Sequence, residues 1–253
     1  MRAPRSILIT GASSGIGEAL ARAYARPGVF LALAGRDAAR VAQVGDACRT
    51  HGADVVAAVR DVTAAADLAG WIRDLDRAHP FDLVIANAGI SAGTGGGSET
   101  PDQTRRIVAV NVDGVVNTVT PLIAPMSVRG RGQIALMSSL ASFRGFPGAP
   151  TYCATKAWVR VWGEALRAEL APAGVEVSVI CPGFVTTRMT QANPFPMPLL
   201  MSADRAAHLI IHGLANNRGR IAFPWRLYAG LRLVTALPAA LTDALLRLAP
   251  RKL

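Results

Sequence analysis

The chain has 253 residues, 51% of them apolar and 17% charged, with a formal charge of +10 at pH 7. That length lies near the upper end for one domain and the apolar content is ample for a single large core, so one globular domain is expected. Three cysteines, Cys48, Cys153 and Cys181, are odd in number and lack metal-ligand spacing, which argues against a disulfide scaffold and fits incidental thiols in a reducing compartment. The basic residues are mostly scattered arginines and aromatic residues make up only 6%, so neither a charge run nor a stacking platform suggests nucleic acid. A phosphate-bearing small molecule accounts for much of the charge, and a membrane surface could account for the rest. Met1 and two arginines lead straight into Ser6-Ile7-Leu8-Ile9, leaving no room for a signal peptide, and the expectation is a cytoplasmic protein.

Short aliphatic runs alternate with longer helical patterns throughout. Strands are expected near residues 6–10, 29–34, 54–59, 82–86, 132–138, 175–181 and 220–223, and helices near 15–26, 37–50, 64–78, 101–124, 152–172 and 203–217. This βαβ rhythm predicts an α/β fold, a doubly wound parallel sheet of Rossmann type in three αβα layers. Unbroken apolar runs such as Leu83-Val84-Ile85-Ala86 suit strands buried on both faces. Gly93 to Ser98 reads as a flexible loop after the fourth strand. The domain is taken as residues 1–223, followed by a C-terminal extension, 224–253.

The first strand runs into Thr10-Gly11-Ala12-Ser13-Ser14-Gly15-Ile16-Gly17 and then a helix. A strand, a glycine-rich turn and a helix N-terminus together form an anion site, because first-turn amides and the helix dipole face the ligand. Gly11, Ser13, Ser14, Gly15, Ile16 and Gly17 are therefore candidates to hold a dinucleotide pyrophosphate. The second strand ends at Gly35-Arg36-Asp37. An acidic side chain at Gly35 would take a ribose 2′-hydroxyl, but Arg36 offers a guanidinium suited to a 2′-phosphate, so NADP is favoured over NAD. Arg36 could instead be a solvated arginine at a helix start, with Asp37 as the cap. Asp61-Val62 after the third strand is placed to meet adenine, and Asn87-Ala88-Gly89 after the fourth lies along the same sheet edge.

Tyr152 and Lys156 are four residues apart on one helical face. A tyrosine with a pKa near 10 is a poor base at neutral pH, and a neighbouring ammonium favours its phenolate. Ser139, at the end of the fifth strand, can hold a substrate oxygen. Ser138 is the alternative, and spacing to Tyr152 favours Ser139.

These motifs, with Asn111 and Pro182-Gly183…Thr187, arrive in an order that resembles the single-domain, roughly 250-residue branch of the short-chain dehydrogenase/reductases over about residues 6–223. The resemblance implies that Tyr152 is the general acid/base and that Ser139 orients the carbonyl. It implies that Lys156 lowers the tyrosine pKa and binds the nicotinamide ribose, while Asn111 holds a water linking Lys156 to solvent. Asn111 could also cap or kink its helix. Pro182, Gly183, Val185 and Thr187 would lie at the nicotinamide. The activity implied is hydride transfer between NADP(H) and a carbonyl or secondary alcohol, in a homodimer or homotetramer. The alternative is a non-enzymatic NADP-binding regulator or membrane-surface scaffold on the same fold.

The stretch Asn193 to Met201 is where this family builds a substrate lid, and its proline, leucine and methionine content suggests an apolar or amphipathic small-molecule substrate. Phe223 to Leu253 combines Trp225 and leucines with arginines and is split by Pro238. It contains no 18-residue uncharged run for a membrane span, so it is expected either to pack on the protein or to touch a membrane surface peripherally. His208 and His212 share a helical face without a third ligand, and no metal is expected.

Overall fold

A computed structural model describes residues 3–92, 98–191, 196–238 and 241–242. Seven strands, β1 (Ser6–Thr10), β2 (Phe30–Gly35), β3 (Asp54–Val59), β4 (Leu83–Ala86), β5 (Gly132–Met137), β6 (Val175–Pro182) and β7 (Arg220–Phe223), form one sheet in the order β3-β2-β1-β4-β5-β6-β7. Every pairing is parallel. Strands β1, β2, β4 and β5 are buried along their whole length, as apolar runs without alternation require of a sheet covered on both faces.

Strand geometry sends neighbouring side chains to opposite faces. Ile7 and Ile9 accordingly join one core with Leu31 and Leu33, while Leu8 joins the other with Val84 and Ile134. The first core packs helices α1 (Gly15–Tyr24), α2 (Ala38–Thr50) and, further along, α8 (Ala203–Ala215). The second packs α3 (Ala65–Ala78), α5 (Gly114–Arg129) and α6 (Pro150–Leu170), while α4 (Pro101–Val108) precedes α5 in the chain. Each fully buried Leu or Ile contributes about 1.5–3 kcal/mol relative to exposure, which makes these two layers the dominant stabilising term.

The expected helix 101–124 differs in two ways. Its middle, Ala109–Asp113, is a π-helical turn, and the helical run continues to Arg129. Pro121 and Pro125 each delete one amide donor, but at a spacing of four they fall on the same, partly solvated face. The run stops where Arg129 pairs with the buried Asp76 carboxylate at 2.7 Å and Gly130 takes a left-handed conformation at φ +65°. By length and composition the run Pro101–Arg129 would span a bilayer, yet Val115, Val119, Leu122 and Met126 are buried against the sheet. The expected helix 152–172 starts two residues early because Pro150 occupies the first-turn position that proline favours. A one-turn helix, α7 (Arg188–Gln191), has no counterpart among the expected elements.

Helix α9 (Trp225–Thr235) follows β7 directly. Its inner side chains Leu227, Tyr228 and Leu231 pack on Leu140, Val179 and Cys181, while Trp225 and Leu233 remain 69% and 72% exposed. Gly93 to Gly97, within the expected flexible loop, lie outside the described residues, as do Asn193, Pro194 and Phe195 of the expected lid.

Candidate active site

Strand order reverses between β1 and β4, and in such sheets the crevice beyond the strand C-termini at that point receives ligands. A groove of about 570 Å³ opens there, within the range of ligand sites. It is lined by Gly11, Ser13, Ser14, Gly15, Ile16, Arg36, Asp61, Val62, Asn87, Ala88, Gly89, Ser139, Tyr152, Lys156, Pro182, Gly183, Val185 and Thr187. Gly17 and Asn111, the two remaining candidates, sit behind the lining rather than on it.

The glycine turn is shaped by contacts that leave no room for side chains. Gly11 and Gly15 have φ of +67° and +60°, conformations glycine adopts without a Cβ penalty. The Asn87 amide donates to the carbonyls of Thr10 and Gly11 at 3.0 and 3.1 Å, fixing the turn against the end of β4. A Cβ on Gly17 would be driven into the Gly11 carbonyl oxygen and this same amide. Gly17→Ala is therefore expected to displace the turn and weaken dinucleotide binding by at least tenfold with the fold retained, measurable by nicotinamide fluorescence and circular dichroism. The first-turn amides of α1 lack intrahelical acceptors by geometry and border the groove at Gly15 and Ile16.

At the far end of β2 the groove is basic. Arg36 is exposed at the rim, and Arg40, Arg60 and Arg106 join it in the lining. Asp37 is engaged as the α2 cap, accepting from the Arg40 amide at 3.0 Å and pairing with the Arg40 guanidinium at 2.9 Å. The Asp61 carboxyl is held below its ordinary pKa, chiefly by the Thr63 backbone N–H, with Arg36 and Arg106 adding to the effect. Sequence reading found Arg36 but not the others. Arg40 carried a signal, one helical turn beyond Arg36, and Arg60 another, immediately before Asp61. Arg106 arrives from α4 and had none.

At the opposite end stand Tyr152, Lys156 and Ser139. Ser139 caps the short turn Leu140–Ser142, accepting from the Ala141 amide at 3.1 Å, and its hydroxyl is hydrogen-bonded to the Tyr152 phenol. Ser138 is buried and donates to the Lys156 carbonyl at 2.7 Å, so its hydroxyl is committed to holding α6. Burial pushes the Tyr152 phenol above its ordinary pKa, and the Ser139 hydrogen bond offsets only part of this. Burial also lowers Lys156 from 10.5 to about 8. Its Nζ donates to the Met137 carbonyl at 2.8 Å and lies 5.8 Å from the Tyr152 ring centre.

Asn111 lies inside the π-helical turn. Its amide donates to the Ile90 carbonyl at 2.9 Å and to Thr155 Oγ1 at 3.1 Å, while its Oδ1 accepts from the Ile90 amide at 2.8 Å. Thr155 in turn donates to the Tyr152 carbonyl at 2.9 Å. The Asn111 side chain is thus engaged in tying α6 to the end of β4. A Cβ on Gly89 would sit 3.2 Å from Lys156 Nζ and 3.3 Å from Asn111 Oδ1, so glycine keeps open the space between these two groups.

Beyond Gly183 the chain crosses the groove. Val185 bridges to Met201, and Thr187 and Thr190 are joined by mutual hydrogen bonds, among them the Thr187 amide to Thr190 Oγ1 at 2.9 Å. Met189 and Thr190 also reach the groove lining, and Leu199 and Leu200 are exposed beside this crossing.

The family model described as short chain dehydrogenase matches residues 5–195. An uncharacterized oxidoreductase of Myxococcus xanthus is 38% identical over 96% of both chains. Among solved structures, a short-chain dehydrogenase from Sphingobium yanoikuyae in complex with NADPH has a TM-score of 0.79 at 28% identity, covering 93% of this chain and 97% of its own. A 3-oxoacyl-[acyl-carrier protein] reductase with bound NAD from Brucella melitensis has a TM-score of 0.75 at 29% identity, covering 87% and 89%. With this sheet order and a family match over most of its length, the chain belongs to the short-chain dehydrogenase/reductase family and is an oxidoreductase.

Proposed function

We propose that the protein is an NADP(H)-dependent reductase of apolar or amphipathic ketones, running the reverse oxidation of secondary alcohols through the same site. The observation that carries this reading is one groove with an acid at one end and guanidiniums at the other. Tyr152 with Ser139 and Lys156 stands at the β5–α6 end, and Arg36 with Arg40, Arg60 and Arg106 at the β2–β3 end. The groove fits a dinucleotide: its glycine turn would be filled by any Cβ, and its volume of about 570 Å³ suits an extended ligand. The glycine turn and α1 N-terminus would hold the pyrophosphate, Asp61 and Val62 the adenine side, and Asn87 to Gly89 and Pro182 to Thr187 the nicotinamide side.

When bound, the nicotinamide supplies or accepts the hydride. In reduction, the Ser139 hydroxyl and the Tyr152 phenol converge on the substrate oxygen, and Tyr152 gives its proton to the oxygen as the carbon gains the hydride. In oxidation the proton returns to the Tyr152 oxygen. The raised phenol pKa keeps the proton on Tyr152 across neutral pH, which suits the reductive direction. The Lys156 ammonium, held near the ring, stabilises the phenolate left behind. Asn111 and Thr155 position this turn of α6, and the gap at Gly89 gives Lys156 a route for proton exchange with solvent.

Titration of NADPH and NADH by nicotinamide fluorescence tests the cofactor assignment. A charge-assisted hydrogen bond contributes about 1.5–3 kcal/mol, so Arg36→Ala is expected to weaken NADPH by about tenfold to a hundredfold and leave NADH nearly unchanged. Equal affinity for both nucleotides in the parent would remove the NADP preference. The apolar substrate class rests on Met189, Leu199 and Leu200 beside the groove, and the 3-oxoacyl reductase neighbour is consistent with it. A homodimer pairing through the outer face of α6, where Trp158 stacks on Trp162 beside the exposed Val161, belongs to the same reading, and its test is the mass in solution.

A further inference from the structure

Helix α9 lies outside the groove, yet its inner face meets the backs of the two strand ends that carry the site. Leu227 and Pro224 press on Gly183, where a Cβ would come within 3.2 and 3.0 Å of them, and Leu140, next to Ser139, completes that contact at 3.4 Å. The Gly183 amide donates to the Phe223 carbonyl at 2.7 Å, so the approach to α9 is itself anchored to the nicotinamide side of the groove. The direct tie between the two strand ends, Ser139 Oγ to the Pro182 carbonyl, is long at 3.5 Å.

A second set of contacts secures the segment that follows Ser139. The Phe143 ring packs on Tyr228 of α9 with centres 5.3 Å apart. The guanidiniums of Arg160, Arg220 and Arg232 lie 4.8, 5.4 and 5.9 Å from the Phe143 centre. Arg220 donates to the Tyr228 hydroxyl at 3.0 Å, and Glu164 pairs with both Arg160 and Arg220. Burial works against the Glu164 charge, but these two arginines outweigh it and hold the carboxyl below its ordinary pKa. Three cations over one ring would repel one another without that carboxylate and the ring's negative face. The assembly joins α6, which bears Tyr152, to β7, to α9 and to the loop that starts at Ser139.

From these contacts we propose that α9 is a positioning element for Ser139, acting through Tyr228 on Phe143 and through Leu227 on Leu140 and Gly183. The proposal rests on the reductase reading above for its activity measurements, but not for its structural one. Neither α9 residue reaches the groove, and both act at one remove from the substrate oxygen. Because Ser139 must share that oxygen with Tyr152, a small displacement of the 139–143 segment costs turnover without affecting the glycine turn on the far side of the sheet.

The test compares Tyr228→Ala, Leu227→Ala and Tyr228→Phe with the parent in kcat for ketone reduction, in NADPH affinity and in hydrogen–deuterium exchange of residues 139–148. The two alanine variants are expected to lose about tenfold in kcat at parent-like NADPH affinity, with exchange accelerated in 139–148 and unchanged in 11–17. Tyr228→Phe keeps the ring contact and is expected to match the parent. A purely structural helix would instead give lower thermal stability with kcat intact, or NADPH affinity falling in step with kcat, and either result overturns the proposal. If the parent turns over no ketone, the reductase reading fails and exchange alone decides: faster exchange confined to 139–148 upholds the positioning contact, and unaltered exchange overturns it.

Discussion

Tyr152→Phe is expected to lower kcat for ketone reduction by a hundredfold to ten-thousandfold while leaving NADPH affinity near the parent value. A positioned general acid contributes about that range, and phenylalanine retains the ring's packing while removing the only proton the phenol can give. The parent's pH profile follows from the same group. With burial holding the phenol above its ordinary pKa, the acid form predominates through neutral pH. Reductive kcat/KM should therefore be level there and fall only in alkaline solution, whereas oxidation of a secondary alcohol should rise with pH. A reductive rate that climbed between pH 6 and 9 would contradict the assignment of Tyr152 as the acid.

Lys156→Met separates stability from activity. The ammonium is 3% exposed and is lowered from 10.5 to about 8, so at neutral pH the charged form costs the fold about 3 kcal/mol. Methionine has similar length and removes that cost, but it forfeits the hydrogen bond to the Met137 carbonyl, a loss of about 1–3 kcal/mol for an acceptor left unpaired. The balance is a gain of about 1 kcal/mol, or about 2–4 °C in Tm for a chain of this size. The sign with pH is fixed by linkage. Below pH 8 lysine is protonated in both folded and unfolded states and the full cost applies; between 8 and 10.5 the unfolded chain alone holds the proton, and the parent recovers. The variant's advantage should thus be greatest below pH 8, vanish about one unit above it, and turn into a deficit of about 1–3 kcal/mol by 10.5, where only the lost hydrogen bond remains. Catalysis should move the other way, with kcat down about a hundredfold to a thousandfold, since the charge opposing the phenolate is gone. Thermal melts over pH 6–10.5 beside initial rates check both halves.

The layers of this fold were legible because its local signals agree. Runs such as Leu83 to Ala86 read as doubly buried strands, and the glycine spacing from Gly11 to Gly17 marks the first strand-to-helix junction. The parallel sheet followed from the βαβ rhythm, and the family from the order of the motifs. Less legible were features settled by contacts between distant segments. Arg129 extends its helix past two prolines by pairing with Asp76, 53 positions away, which helical periodicity cannot register. The π-helical turn at Asn111 depends on Ile90 and Thr155, again remote in sequence. Arg106 reaches the groove from a helix whose sequence resembles any solvated amphipathic one. The tail read as an undecided amphipathic segment because Leu227 and Tyr228 find their partners, Leu140 and Phe143, only after the sheet is assembled.

Under the proposed function this groove passes a hydride from NADPH to a carbonyl carbon while Tyr152 protonates the oxygen. The most direct test follows NADPH oxidation at 340 nm with matched lipophilic and highly polar ketones, using the parent and Tyr152→Phe at equal nucleotide saturation. Ketone-dependent oxidation by the parent, faster with the lipophilic set, and loss of at least a hundredfold in the variant are expected. Equal rates in parent and variant, or no ketone-dependent oxidation by a parent that binds NADPH, would contradict the proposed function.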